Sequence, residues 1–244
     1  MTPMRVILNV QTNDVDCAAA ATDRYPGRLA VGVPVKGFAE LGDAVAVVAA
    51  MQRRSVRVSA GLGDGAADQW RRAHDLAVAT RPYHLNQVYP AAGYSAGALA
   101  AAGAPTIVNA LLRPGGTVGT VRVGTGPVSS GCAQPDVPVE VAVALVHEIG
   151  LPSVKFFPMR GLEHLDHYRA LAAAAAPYGL MVEATGGLSP DNLRQVLAAS
   201  AAAGLHSVMP HLYSSVKLAG TDLLDFATLD RAMAVVDEFG AGRP

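Results

Sequence analysis

The chain has 244 residues and a formal net charge of −1 at pH 7, and 51% of its residues are hydrophobic. This length suits one large α/β domain or two small ones, and the near-neutral charge argues against a nucleic-acid surface. No apolar run approaches the roughly 20 residues of a membrane helix. The two cysteines, Cys17 and Cys132, are too few for a disulfide framework. We therefore expect a cytoplasmic protein without nucleic-acid or membrane partners.

Short β-branched runs alternate along the chain with longer Ala-, Leu- and Val-rich stretches of helical period. Eight candidate strands lie near Val6–Val10, Leu29–Val33, Val56–Ala60, Tyr83–Val88, Thr106–Leu111, Ser153–Phe157, Leu180–Ala184 and Ser207–His211. Helical segments separate them, and a further helix follows the last strand. Eight such units joined by helix-length crossovers predict an α/β protein, a single (β/α)8 TIM barrel over residues 1–244.

The clearest helical segment is Pro190–Ala203, where Ser189 is placed to cap the N-terminus and Gly204 to end the helix. The last helix is expected near Phe226–Phe239. A doubly wound open sheet is the alternative architecture. It would be expected to have a glycine fingerprint after the first strand, and Asn9–Asn13 has none.

One stretch after the fifth strand interrupts the alternation. Arg113–Gly116 is typical of a turn, Val118–Val123 is a second strand-like run, and Gly124–Gly131 is rich in Gly and Ser. We interpret this stretch as a hairpin and loop inserted at the mouth of the barrel. Long loops in compact domains are more often functional than structural filler.

Lys155 is the most informative residue in the sequence. It lies near the end of the apolar run Ser153–Phe157, which Pro158 then stops. Burying an ammonium group is costly unless its charge is paired or lost, so Lys155 is either part of an ion pair, for example with Glu183, or an amine of lowered pKa. An amine that is partly neutral can attack a ketone and form a Schiff base.

Polar residues occur near the ends of most predicted strands. They are Asn9, Lys36, Asn86, Asn109, Lys155, Glu183 and His211. The active site of a (β/α)8 barrel forms at this end of the strands, so we expect these side chains to converge. Strand alternation allows Lys155 and Glu183 both to point inward. As alternatives, Glu183 is a simple charge partner and His211 a core histidine, while Asn86 and Asn109 are expected to orient substrate or to cap strand ends.

A phosphate site is predicted after the seventh and eighth strands. Glycines let the backbone approach an anion, and the helix that follows presents free N–H groups at its N-terminus. The residues proposed around the phosphate are Thr185, Gly186, Gly187, Ser214 and Ser215. Lys36 and Arg122 are further anion-binding candidates, with solvated surface charges as the alternative for both. No His-x-His or His-x-x-x-His pattern lies at a strand end, so we expect neither a metal nor a cofactor.

Two segments resemble the 2-keto-3-deoxy-6-phosphogluconate aldolases. Val154–Pro158 is similar to their Schiff-base strand, and Thr185–Gly187 to the phosphate loop on the next strand. The wider pattern resembles a separate bacterial family, the KDGP aldolase family, over most of the chain. Its further matches are Asn86–Val88, Val108–Asn109, Thr125–Pro127, Ser129–Gly131, Gly161, Glu183, Pro210–His211 and Tyr213–Ser215.

The resemblance implies a class I aldolase of sugar-acid catabolism. Lys155 would attack the C2 ketone of 2-dehydro-3-deoxy-6-phosphogluconate, and cleavage of the C3–C4 bond would release glyceraldehyde 3-phosphate and then pyruvate. The better-known aldolases place a catalytic glutamate near the first strands, where this chain has no clear glutamate. Glu183 and His211 are therefore the candidates for proton transfer. Ala184 stands where those enzymes have proline.

Two other functions fit the same residues. A sugar-phosphate isomerase or epimerase on this barrel would use Glu183 as the base and Lys155 as an electrostatic clamp. A non-catalytic barrel would bind a phosphorylated metabolite as a sensor. The Ala-rich helices leave room for subunit packing, so we expect a homo-oligomer. The sequence sets neither the stereochemistry at C4 nor the exact substrate.

Overall fold

A computed structural model of the protein describes residues 4–239. The strands are β1 (Arg5–Val6), β2 (Leu8–Gln11), β3 (Leu29–Pro34), β4 (Val58–Gly61), β5 (His84–Val88), β6 (Ile107–Pro114), β7 (Thr120–Arg122), β8 (Val137–Pro138), β9 (Ser153–Phe156), β10 (Met181–Ala184) and β11 (Ser207–Val208). The helices are α1 (Val15–Arg24), α2 (Leu41–Arg53), α3 (Trp70–Thr80), α4 (Tyr89–Ala101), α5 (Val139–Glu148), α6 (Leu165–Ala175), α7 (Pro190–Ala202) and α8 (Phe226–Asp237).

The parallel strands close into a barrel. They pair in the order β1-β11-β10-β9-β6-β5-β4-β3-β2. β1 and β2 are consecutive pieces of one strand, divided at Ile7, so both ends of this order belong to the same stretch of chain. A parallel bridge between Asn9 and His211 completes the closure. The predicted (β/α)8 barrel is confirmed, with β1 and β2 together as its first strand.

The insertion after the fifth barrel strand is also confirmed. That strand, β6, continues past the barrel and pairs with β7 in antiparallel register, Arg113 opposite Arg122 and Pro114 opposite Val121. β7 then pairs antiparallel with β8, which leads directly into α5. The strand-like run predicted at Val118–Val123 is therefore shorter than expected, but it forms the predicted hairpin.

Side-chain alternation divides the barrel strands into two faces. On β9 and β10 the apolar residues Val154, Phe156, Val182 and Ala184 belong to the large core that lies between the strands and the helices. A second, small cluster of Ile7, Ala30, Met181 and Met209 has the opposite alternation and fills the inside of the barrel. The remaining inward positions, toward the carboxyl ends of the strands, carry the polar residues of the candidate site.

Candidate active site

A cavity of about 650 Å³ lies at the carboxyl ends of the barrel strands. Three lysines line it: Lys36 after β3, Lys155 on β9, and Lys217 beyond β11. The segments that follow β10 and β11 line the same cavity. A pocket of this size with convergent polar groups is typical of a small-molecule site, and the three lysines favour an anionic ligand.

Lys155 lies at the floor of the cavity. Its Nζ donates a hydrogen bond of 2.8 Å to Oδ1 of Asn86 and lies 3.3 Å from Nδ1 of His211. Burial lowers the pKa of Lys155 to about 8, and the negative charge of Glu183 opposes this shift only in part. About a tenth of such an amine is uncharged at pH 7, a far larger share than for an exposed lysine.

Glu183 is fully buried beneath the cavity. Its Oε1 accepts hydrogen bonds from His84 at 2.8 Å and Ser153 at 2.5 Å, and its Oε2 from Asn109 at 2.8 Å and His211 at 2.9 Å. Burial by itself would raise the pKa of this carboxyl group, but His84 and His211 outweigh burial and hold the pKa well below its usual value. Glu183 is therefore an ionised carboxylate whose two oxygens each accept two hydrogen bonds.

A second branch of hydrogen bonds runs from Glu183 back to the lysine. Because the carboxylate has no proton to give, His84 donates to it from Nε2, and Nδ1 of His84 lies 2.8 Å from Ser59 Oγ. Ser59 Oγ in turn accepts from Nδ2 of Asn9 at 2.9 Å and of Asn86 at 3.1 Å. The amide orientation that this requires leaves Asn86 Oδ1 free to accept from Lys155. The network thus fixes the Asn86 oxygen that holds the amine.

His211 connects the carboxylate with the cavity. Burial lowers the pKa of His211 to about 3, and the positive charge of Lys155 acts in the same direction. The imidazole is therefore neutral near pH 7 and donates from Nε2 to Glu183. Its Nδ1 is left to accept, and it lies 2.8 Å from the Tyr213 hydroxyl. His211 thus turns its acceptor nitrogen toward the cavity.

The loop after β10, which the sequence predicts to bind an anion, contains two glycines with positive φ. Gly186 has φ +106° and Gly187 has φ +73°, in the region that favours glycine. A Cβ atom on Gly187 would lie 2.6 Å from the backbone nitrogen of Gly161. Within residues 4–239, the buried hydroxyl oxygens of Thr185 and Ser215 have no hydrogen-bond partner. Thr185 lines the cavity, so its hydroxyl group suits a bound anion, whereas Ser215 is not among the residues that line the cavity.

The two cationic candidates lie in different places. Lys36 lines the cavity, with its Nζ 4.0 Å from Asp64. Arg122 lies on the inserted hairpin, outside the residues that line the cavity, and its Nε donates to Asp136 at 3.0 Å. Of the other predicted residues, Gly186, Gly187, Thr185 and Ser214 line the cavity.

Sequence reasoning missed several residues of this site. Ser59, His84 and Ser153 lie on strands β4, β5 and β9, and the search for polar strand ends passed over them. The alternation His84–Asn86 was the available signal, because residues two apart on a strand share a face. Lys217, whose Nζ lies 2.6 Å from Asp222, follows β11 in a segment with no regular spacing.

The described residues contain neither a metal-binding cluster nor a membrane-spanning helix. Between residues 4 and 239, no group of three or more His, Cys, Asp or Glu side chains is arranged to hold a metal ion. None of the helices in that range is long and apolar enough to cross a membrane.

Solved structures with low sequence identity have the same fold. KGPDC of Streptococcus mutans, solved in complex with D-R5P, has a TM-score of 0.61 at 11% identity and covers 96% of this chain and 99% of its own. The carboxyl transferase domain of Rhizobium etli pyruvate carboxylase has a TM-score of 0.60 at 13% identity, with 98% and 49% covered. Phosphoribosyl anthranilate isomerase of Thermus thermophilus has a TM-score of 0.54 at 16% identity, with 96% and 99% covered. At these identities the likeness concerns the fold alone.

Sequence comparison is more specific. The family model described as KDGP aldolase matches residues 3–217. A protein of Salmonella typhimurium, named 2-dehydro-3-deoxy-phosphogluconate aldolase, is 39% identical over 214 residues, 87% of each chain. The predicted resemblance is confirmed: the chain belongs to the KDGP aldolase family and is an aldolase, a carbon–carbon lyase.

Proposed function

We propose that the protein is a class I aldolase that cleaves 2-dehydro-3-deoxy-6-phosphogluconate into pyruvate and glyceraldehyde 3-phosphate. The observation that carries the proposal is the Lys155 amine, which lies at the floor of the cavity with its pKa lowered to about 8. The name of the Salmonella typhimurium relative supports the choice of substrate. A lysine in the cavity with a lowered pKa is expected of an enzyme that forms a Schiff base with a keto acid.

The neutral amine of Lys155 attacks the C2 carbonyl carbon and gives a carbinolamine. Loss of water then leaves an iminium ion between Lys155 and C2. Asn86 holds the amine for this attack through the hydrogen bond that its Oδ1 accepts. Because the network beneath fixes the orientation of Asn86, the nucleophile is positioned before substrate binds.

The iminium ion is the electron sink for cleavage. A base takes the proton of the C4 hydroxyl, the C3–C4 bond breaks, and its electron pair moves toward the iminium nitrogen to form an enamine. Glyceraldehyde 3-phosphate leaves, C3 of the enamine is protonated, and water releases pyruvate from Lys155. We assign these two proton transfers to the part of the cavity that His211 lines. Glu183 acts through His211 as its buried carboxylate partner.

The two anionic ends of the substrate need separate partners. The phosphate group suits the loop after β10 and the hydroxyl groups after β11, which are Thr185, Gly186, Gly187, Ser214 and Ser215. Lys36, which lines the cavity after β3, suits the other anionic end. Asn109 connects Asn86 with Glu183, because its side-chain amide donates hydrogen bonds to both.

Trapping with pyruvate and borohydride tests the mechanism. We expect one reduced pyruvate adduct on Lys155 of the wild-type protein, located by mass spectrometry of peptides. Lys155→Ala should form no adduct, while Lys217→Ala, which removes another lysine from the same cavity, should keep it. Absence of an adduct on the wild-type protein would refute the Schiff-base mechanism.

A coupled pyruvate assay tests the substrate. Release of pyruvate from 2-dehydro-3-deoxy-6-phosphogluconate by the wild type, and its loss in Lys155→Ala, are expected. Binding without product would favour a non-catalytic barrel, and conversion of the substrate without release of pyruvate, retained by Lys155→Ala, would favour an isomerase. The single domain over residues 1–244, the homo-oligomer and the cytoplasmic setting stay predictions; light scattering checks the oligomeric state.

A further inference from the structure

The Tyr213 hydroxyl is a polar group of the cavity that the mechanism above does not use. Tyr213 lines the cavity, and its hydroxyl oxygen lies 2.8 Å from Nδ1 of His211. Between residues 4 and 239, no other side chain or backbone group forms a hydrogen bond with this oxygen. Within that range, His211 is therefore the hydrogen-bond partner of the phenol, and the lone pairs of the phenol oxygen stay available to a substrate in the cavity.

The direction of this hydrogen bond follows from the chemistry of Glu183. The carboxylate accepts the hydrogen bond that neutral His211 donates from Nε2, so Nδ1 has a single lone pair to offer. Lys155 Nζ lies 3.3 Å from that nitrogen and has a better acceptor at 2.8 Å in Asn86. The Tyr213 hydroxyl is the closer donor to Nδ1, so Tyr213 donates and His211 accepts.

We propose that Tyr213 is the catalytic residue that exchanges protons with the substrate, with His211 as its proton acceptor and Glu183 as the positioning residue of His211. This inference rests on the proposed Schiff-base mechanism. The order carboxylate, imidazole, hydroxyl is that of a catalytic triad, in which a buried carboxylate sets the tautomer of a histidine that activates a hydroxyl group. Here the hydroxyl acts as a proton carrier and not as a nucleophile.

The position of Tyr213 suits both proton transfers of the reaction. Its hydroxyl oxygen and Lys155 Nζ lie within hydrogen-bonding distance of the same His211 nitrogen. In the iminium ion, C3 is two bonds from Nζ and C4 is three bonds away. A proton carrier beside Nζ is therefore near both the C4 hydroxyl and the carbon that is protonated after cleavage.

In the cleavage step, the C4 hydroxyl gives its proton to the Tyr213 oxygen as the phenolic proton passes to His211 Nδ1. The imidazolium that forms lies between Tyr213 and the Glu183 carboxylate. After the aldehyde leaves, the electron pair of the enamine takes the phenolic proton at C3, and His211 returns its proton to the Tyr213 oxygen. Every proton is thus accounted for. Burial raises the pKa of Tyr213, so the phenol does not ionise beforehand and the two transfers are concerted.

Exchange of the pyruvate methyl protons isolates this step. The wild-type enzyme with pyruvate in D2O is expected to exchange them through the enamine, as followed by NMR. In Tyr213→Phe we expect exchange and aldol cleavage to fall by about 10²–10⁴-fold, the usual contribution of a placed proton donor. The borohydride adduct on Lys155 should form at close to the wild-type yield, because imine formation does not use C3.

Tyr168→Phe is the matched control. Tyr168 is fully buried in the helical layer, and its hydroxyl lies 2.7 Å from Ser200 Oγ, so this variant also loses one buried tyrosine hydroxyl, outside the site. It should keep wild-type exchange. Placing 3-fluorotyrosine at position 213 restores the hydroxyl, and we expect it to restore most of the exchange.

The outcomes separate this inference from the proposed function. A wild type that forms no adduct defeats both. Suppose the wild type forms the adduct and Tyr213→Phe exchanges the pyruvate methyl protons at a rate within about threefold of the wild-type rate. This result would defeat the role of Tyr213 and leave the Schiff-base mechanism standing. Equal loss of exchange in Tyr168→Phe, or loss of the adduct in folded Tyr213→Phe, would also overturn the assignment to C3.

Discussion

Lys155 and Glu183 lie opposite each other on the neighbouring strands β9 and β10. Among the residues that the structure describes, no salt bridge joins these two side chains. Nζ of Lys155 contacts Asn86 and His211, and each of these is linked to Glu183, Asn86 through Asn109. A direct ion pair would stabilise the ammonium form. The indirect linkage keeps a negative charge near the lysine and leaves burial as the dominant influence on its pKa.

The first prediction concerns the pH dependence of imine formation. Only the neutral amine attacks, and the pKa of Lys155 is lowered to about 8, so the rate should rise about tenfold per pH unit below that value and level off above it. The rate of adduct formation with pyruvate, quenched by borohydride at each pH, measures this. A rate that keeps rising beyond about pH 10 would mean an unperturbed lysine.

The second prediction concerns Glu183→Gln. The Glu183 charge raises the pKa of Lys155, so its removal should move the midpoint of the same pH profile to lower pH. The amide also turns an NH2 group toward two of the four donors, and we expect these unsatisfied donors to lower the free energy of unfolding by about 1–3 kcal/mol. Denaturant unfolding and the adduct profile give the two readouts.

Glu163→Gln is the control for that substitution, because Glu163 is an exposed carboxylate beside Arg160. It should leave both readouts unchanged. A Glu183→Gln profile that shifts to higher pH would contradict the electrostatic role of the carboxylate.

The third prediction compares two cations. Lys36 lines the cavity, so Lys36→Ala should raise the KM for the phosphorylated substrate by about tenfold, the scale of one hydrogen bond to a charged group. Arg122 pairs with Asp136 on the hairpin, and Arg122→Ala should change KM by less than about twofold, as expected of a surface pair. Steady-state kinetics decides between them, and a larger effect at Arg122 would reverse the assignment.

The fourth prediction compares two glycines. A Cβ on Gly187 would lie 2.6 Å from the Gly161 nitrogen at a φ of +73°, so Gly187→Ala should destabilise the protein by about 1–3 kcal/mol and weaken binding of inorganic phosphate. Gly97 in α4 has open space around its Cβ position, and Gly97→Ala should stabilise by up to about 1 kcal/mol. Thermal unfolding with and without phosphate measures both. Phosphate affinity unchanged in Gly187→Ala would exclude this loop.

The alternation of strands and helices was enough to predict the barrel and the end at which the cavity lies. Parallel strands connected by helices bring all their carboxyl ends to one edge, so polar residues such as Asn86 and His211 were expected to meet there. Gly186 and Gly187 were assigned to an anion because glycine lets the backbone approach a ligand and a helix begins soon after them; this role stays a prediction. Helix ends were less certain: α7 ends at Ala202 and α8 at Asp237, one and two residues before the predicted ends.

The sequence by itself thus determined the fold, the edge that holds the cavity, and Lys155 as its unusual residue, because these follow from local period and from the cost of burying a charge. Only the tertiary structure decided what surrounds Glu183. Ser153 and His84 are the first residues of their strands, and the stagger of strands around a closed barrel brings them level with residues further along other strands. No pattern within one strand contains that stagger, so the hydrogen bonds that join Glu183 and His211 to Ser153, His84 and Tyr213 were visible only in the closed barrel.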